Sequence, residues 1–394
     1  MKNCLNILLL CLSLMMGCQY NKCLDCDPET VKIKKAEQAL KKDPAKVAAA
    51  HANRLTTLRE QIRQTPLFEV WHHRFQEDKI RNVYVVNELV LVALQSKQLF
   101  AMDRKSGYPQ WVYQLDEYLD FPPEAYKDKL YLLSMGVLHI LDGKTGSVLC
   151  KKNLEFVPSS PLCASDQFLY VGAWDNFIYA LNMKTGESEW RYRIDGYVWG
   201  RPAVIDGYLF VAGTDERIYA INAQSGNTIK DWGQEGRYTT RAANLVAIVA
   251  PANKPILYAG SRDYNCYSLT RTYGELRWKF ESGGEITRTP YLLGKSLYLV
   301  SDRELNKDSE LYVLDEETGQ TKWAIEHGKQ LLFQGKQYDW VLLQGKKVVA
   351  TDSKSGKLAH NFDFPQFEIY TTNLQDNLGY LGTKDGFLFA VEER

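Results

Sequence analysis

Short alternating apolar runs punctuate this chain, and each leads into the same polar phrase. Runs such as Phe168-Leu-Tyr-Val-Gly172 and Tyr208-Leu-Phe-Val-Ala-Gly213 alternate in the manner of half-buried strands. The following strand ends on an aromatic-small-aliphatic-Asp/Asn sequence. A spacer with Thr or Ser, a Gly, and often a Trp four residues later complete the phrase. The copies run Phe100 to Asp103 with Gly107 and Trp111, His139 to Asp142 with Gly146 and Cys150, and Tyr179 to Asn182 with Gly186 and Trp190. They continue with Tyr219 to Asn222 with Gly226 and a late Trp232, Tyr267 to Thr270 with Gly274 and Trp278, and Tyr312 to Asp315 with Gly319 and Trp323. Val349 to Asp352 with Gly356 and His360 is a degenerate copy, and Phe389 to Glu392 is the last. A period of about forty residues predicts a propeller or solenoid, because one such unit cannot bury both faces of its sheet alone.

Within each copy the Asp or Asn caps a tight turn and the Gly supplies its positive φ, so the phrase predicts a hairpin. One further strand opening each repeat makes a blade of four antiparallel strands. The last repeat lacks its Trp-bearing fourth strand, and a matching piece, Phe68-Glu-Val-Trp71-His72-His73, stands ahead of the first repeat. The predicted fold is therefore an all-β, eight-bladed propeller over residues 67–394, closed by an N-terminal latch strand that leaves no free inner edge.

The N-terminal region has a different pattern. Lys2, an apolar stretch from Leu5 to Met16, and Met15-Met16-Gly17-Cys18, which resembles a bacterial lipoprotein cleavage box, predict a lipoprotein signal peptide over 1–17 with Cys18 as the lipidated first residue. An ordinary secretion signal is the alternative. Residues 18–66 read as a tether and helical spacer. Lys34 to Lys41 and Pro44 to Arg63 are rich in helix formers, and Asp43-Pro44 reads as an N-cap and first helical residue.

Charge and composition narrow the function. Forty-eight basic and forty-eight acidic residues cancel, so nothing favours nucleic acid or an anionic membrane surface. Of eight Cys, five follow Cys18; Cys23 and Cys26 could pair, while Cys150, Cys163 and Cys266 read as small strand hydrophobes. His139 and His360 occupy packing slots of the repeat, and His72 and His73 are strand neighbours that face opposite ways. The Asp residues at 103, 142, 315 and 352 are explained by turn capping. No nucleophile elbow, phosphate loop or zinc helix occurs, so no catalytic residue, cofactor site or metal site is assigned.

Aligning the repeats ahead of their opening strands yields one candidate site. Val157 to Pro161, Val198 to Pro202, Tyr238 to Ala242, Ile286 to Pro290 and Ile369 to Asn373 would ring one mouth of the channel. Arg201, Arg241 and Arg288 would converge there beside Tyr197, Trp199 and Tyr238, a set suited to an acidic partner loop. The plain alternative for each Arg is an ion pair with a local Asp or Glu.

Phrases of the form Tyr179-Ala-Leu-Asn182, Thr185-Gly186, Trp190 resemble pyrroloquinoline-quinone-type (PQQ-like) propeller repeats. With the lipoprotein signal, the latch strand and the terminal Lys384 to Val391, the chain resembles BamB-type lipoproteins of the outer-membrane β-barrel assembly machinery. That resemblance implies a non-catalytic scaffold, lipid-anchored at the outer membrane and facing the periplasm. Its implied partner is the periplasmic domain of the barrel-inserting protein. A surface or periplasmic binding propeller, such as an adhesin or carbohydrate binder, is the alternative. Quinoprotein dehydrogenases share the blades but are longer and carry an adjacent Cys pair and a metal site, and this chain has no Cys-Cys dipeptide.

Overall fold

A computed structural model of the protein describes residues 44–76, 78–239, 245–303 and 308–394. The chain divides into two units at Gln64/Thr65. In the first, Pro44–Arg63 form one helix with Pro at its opening position, where the missing N–H costs nothing. The signal peptide, Cys18, Cys23, Cys26, the 34–41 helix and the Asp43 cap lie outside the described residues.

The second unit consists of eight four-stranded antiparallel sheets, each a simple meander. First strands of neighbouring blades touch, as Glu124–Tyr126 does Cys163–Ala164, and Cys163–Ala164 does Ala203–Ile205. First strands therefore form the inner ring and fourth strands the rim. The second and third strands carry the core: Leu169, Val171, Ile178 and Ala180 are fully buried, whereas fourth strands such as Ser188–Arg193 are largely exposed.

Closure follows the predicted route. The latch strand Leu67–Arg74 pairs antiparallel with the final strand Phe387–Glu393, from Leu67 opposite Glu393 to Arg74 opposite Phe387. Ile80–Val86, the first strand of blade one, contacts Ile369–Thr371, the first strand of blade eight. Arg104, nearly buried, ties the same junction, with its guanidinium 3.2 Å from Asp376 and bonded to Gln375 at 2.5 Å.

The polar phrase has a role in each turn. Asp142 Oδ1 accepts from Thr145 N at 2.8 Å and Thr145 Oγ1 at 2.9 Å. Those bonds hold the Asp142 carboxyl below its ordinary value, and Asp103 and Asp352 are lowered by the equivalent Ser bonds. The Gly does two things. Gly146 has φ +69°, and a Cβ on it would lie 2.5 Å from the Trp111 ring. So the Trp of one blade rests on the Gly of the next, and its indole N–H donates to Gly143 O at 3.0 Å. The same seat joins Trp71 to Gly107, Trp190 to Gly226, Trp232 to Gly274, Trp278 to Gly319 and Trp323 to Gly356. Each phrase holds its own Gly and Trp, but the contact joins the Trp of one phrase to the Gly of the next across the seam between two blades.

Exceptions to the repeat are accommodated locally. Trp232 lies in a turn rather than on the fourth strand, yet it is fully buried and reaches its Gly. Cys150 replaces the Trp between blades two and three, and there Gly186 faces Leu138 and Lys152. His360 packs on Tyr338 and Phe362. His139 is buried against Tyr113, and burial lowers its pKa. Cys163 and Cys266 are free and buried, their thiols pushed up by burial to about 11 and about 12.

Candidate partner-docking face

In a meander of four antiparallel strands, the links between blades emerge on the same face as the links between second and third strands. The Asp-capped turns lie on the opposite face. The predicted site segments 157–161, 198–202 and 286–290 are all interblade links on the first face. Ile369–Thr371 instead form the inner strand of blade eight itself.

The expected convergence of three Arg side chains does not occur. Arg201 donates to Glu124 Oε1 at 2.6 Å and to Leu162 O at 3.1 Å, a local pairing on blades two and three. Arg288 donates to Lys329 O and lies 3.9 Å from Asp302, at blades six and seven. Arg241 lies outside the described residues. Tyr238 is also displaced from its predicted position. Because Trp232 occupies a turn, the following Arg237–Thr239 become the fourth strand of blade four, pairing with Arg217–Tyr219. Tyr238 therefore packs against Tyr267 at the rim and not at the channel mouth.

What the face does gather is aromatic. Tyr197 and Trp199, both predicted site residues, lie in the link between blades three and four with ring centroids 5.4 Å apart. Trp174, from the second-to-third strand link of blade three, packs 4.8 Å from Tyr197 and remains 52% exposed. Val157, 66% exposed, accepts the Trp174 backbone N–H at 3.1 Å. On the far side the Arg262 guanidinium sits 5.4 Å over the Trp199 ring and is fixed by Glu285 at 2.9 Å.

The loop under these rings is held rigidly. Tyr197 N donates to Thr214 Oγ1 at 3.0 Å, and Thr214 N donates back to Tyr197 O at 3.0 Å. Beneath, Asp215 accepts from Tyr219, and burial raises its carboxyl above the ordinary range. Asp195 and Arg217 pair at 2.5 Å on the polar margin. Trp174 and Arg262 were not among the predicted residues, whereas Val157 opens the predicted segment 157–161. Trp174 stands two residues past the strand run Phe168–Gly172, where the equivalent positions of other repeats carry Thr214, Arg262 or Lys384, all polar. An exposed Trp in that place was the available signal.

Among the described residues no three His, Cys, Asp or Glu side chains form a group that could hold a metal ion, and no helix is long and apolar enough to cross a membrane.

Eight meander blades, Asp-capped turns and Trp-on-Gly seams define a PQQ-like β-propeller. The family described as "Outer membrane protein assembly factor BamB" matches residues 134–250 and 230–365, more than half of the chain, and the chain belongs to that family. BamB from Moraxella catarrhalis is similar in structure, with 17% identity and a TM-score of 0.64 over 83% of this chain and 97% of that one. A computationally designed protein, Ika8, superimposes with a TM-score of 0.62 at 15% identity, covering 82% of this chain and 98% of that one. The quinohemoprotein alcohol dehydrogenase of Comamonas testosteroni gives a TM-score of 0.63 at 12% identity, over 84% of this chain and 77% of that one. At these identities the likeness is one of fold. No curated protein matches the chain by sequence.

Proposed function

We propose that this protein is a non-catalytic accessory scaffold in outer-membrane β-barrel protein assembly, tethered to the membrane by lipid on Cys18. It docks the periplasmic domain of the barrel-inserting protein on the face carrying Trp174, Tyr197 and Trp199. Family membership supports the assembly role. The observation that carries the docking site is the half-exposed Trp174 packed with Tyr197, Trp199 and Val157 beside a fixed Arg262. Clustered aromatics on rigid loops with Arg at the margin anchor protein interfaces, since they bury much area while losing little conformational freedom. Arg201 and Arg288, each held locally, take no leading part in this docking.

The test is capture of the periplasmic domain of the barrel-inserting protein by the purified scaffold. Trp174→Ala combined with Trp199→Ala removes two anchors of about 2 kcal/mol each, so affinity falls by more than about a hundredfold. The variant's melting temperature stays within a few degrees of the parent, because neither ring is in the blade core. Undiminished capture by the double variant rejects this face as the docking site.

A further inference from the structure

On the same face, well away from the aromatic cluster, the seam between blades six and seven contains a cavity of about 260 Å³. Its floor is apolar. Val300, Leu311 and Leu331 are buried side chains of the two blades, and the Tyr298 ring closes one wall while its hydroxyl is engaged by Asp339 at 2.7 Å. Its mouth is cationic. Arg288 and Lys329 both line it, together with the exposed Thr289 and the half-buried Gln330.

The charge at the mouth is incompletely balanced. The nearest carboxylate, Asp302, is 3.9 Å from the Arg288 guanidinium, and its other oxygen accepts from Thr287 Oγ1 at 2.5 Å. Lys329 makes no ion pair among the described residues. The other charged groups nearby are matched: Arg303 with Glu310 at 2.5 Å, and Asp308 with His327 at 2.7 Å. Among the described residues, two cations thus face one partly occupied carboxylate above an apolar hole, with one Arg288 nitrogen donating to Lys329 O.

We infer that this seam binds a small amphipathic carboxylate, with an aliphatic group in the Val300–Leu311–Leu331 hole and the carboxylate between Arg288 and Lys329. An apolar floor with a few convergent polar groups is the usual form of a small-ligand site. The volume suits one apolar side chain. A guanidinium fork matches a carboxylate's two oxygens, and the neighbouring ammonium adds charge without demanding geometry. The same chemistry is offered by a free short-chain acid and by the C-terminal residue of a polypeptide. This site is independent of the docking face, which lies on blades three to five.

Ligand-observed NMR with N-acetyl-leucine tests it, using N-acetyl-leucinamide as the uncharged control. Binding of the acid and not the amide is expected. Arg288→Gln with Lys329→Gln should weaken that binding at least about tenfold, since charge-assisted bonds are lost. Thr289→Trp, a change at an exposed position, should block the mouth while leaving both cations in place. An octapeptide ending in a Leu carboxylate identifies the source. Binding of both probes supports the site as a chain-terminus receptor, and binding of the small acid alone supports it as a site for free acids. Equal binding of the amide, or undiminished binding by both variants, overturns the inference, as does failure of both probes to bind the parent protein.

Discussion

Trp71 and Gly107 are expected to be energetically coupled across the closure of the ring, by an amount the geometry fixes. Trp71 is nearly buried, and its indole N–H donates to Arg104 O at 2.9 Å. Removing a core Trp costs about 3–5 kcal/mol, the lost hydrogen bond included, so Trp71→Ala should cost about 4 kcal/mol. Gly107 has φ +71°, and a Cβ on it would lie 2.5 Å from the Trp71 ring, closer than any real contact. Gly107→Ala therefore has two parts: about 1 kcal/mol for the left-handed backbone and about 2 kcal/mol for pushing the ring aside. In the Trp71→Ala background only the backbone part remains. The double variant should then lose about 5 kcal/mol, where simple addition gives about 7, a coupling of about 2 kcal/mol. Urea unfolding followed by far-ultraviolet circular dichroism on the protein lacking residues 1–18 measures all four corners. Gly186→Ala is the control, because no indole ring rests on Gly186: its Cβ would meet Leu138 at 2.9 Å and the Lys152 stem at 3.2 Å. Additive losses within about 0.5 kcal/mol would refute the Trp-on-Gly seat as the closure contact.

Deleting residues 67–75 should expose the edge of Phe387–Glu393 and drive aggregation, read by size-exclusion chromatography; a monomer that melts as the parent does would discount the latch. Hydrogen bonds hold the carboxyls of Asp103, Asp142 and Asp352 below the ordinary carboxylate value in the folded protein. Their contribution is therefore complete above the unfolded value, at about pH 4, and is lost as pH falls through the lower folded values. Asp142→Asn, which copies the Asn182 and Asn222 turns, should flatten the acid limb of stability against pH while leaving neutral stability nearly unchanged; an unaltered acid limb would contradict this. Cys18→Ser should move the protein from the membrane fraction to the soluble fraction, since no thiol remains to carry lipid, and continued membrane retention would rule out that anchor. Incubation with pyrroloquinoline quinone and calcium should give no dye-linked alcohol oxidation, and sustained turnover would displace the scaffold assignment.

The repeat alone determined the class of fold, the number of blades and the closing strand. Each Asp, Gly and apolar run acts through neighbours a few residues away, and such short-range chemistry is visible in one dimension. The Asp142 turn and the helix over Pro44–Arg63 belong to that group; the packing of His139 and His360 was read from their slots in the repeat, and His139 meets its partner Tyr113 across a seam. The site was legible only in part. Tyr197 and Trp199 lie on the face the alignment of repeats predicts, because antiparallel alternation assigns every interblade link to it. Their partners come from other blades, however, and no pattern in the chain brings Trp174 or Arg262 to them. Aligning the interblade links put Arg201 and Arg288 within one position of each other in the repeat but not in proximity, since like positions on links leading to blades four and six project to different sectors of a ring. The Trp–Gly seats show the same limit, for both residues are plain in the sequence while their contact crosses a seam. Tyr238 was misplaced because a buried Trp232 in a turn shifts the fourth strand along the chain, a choice made by packing against Gly274. Local hydrogen bonding and alternation set the blades, and only their closure into a ring decided which side chains meet.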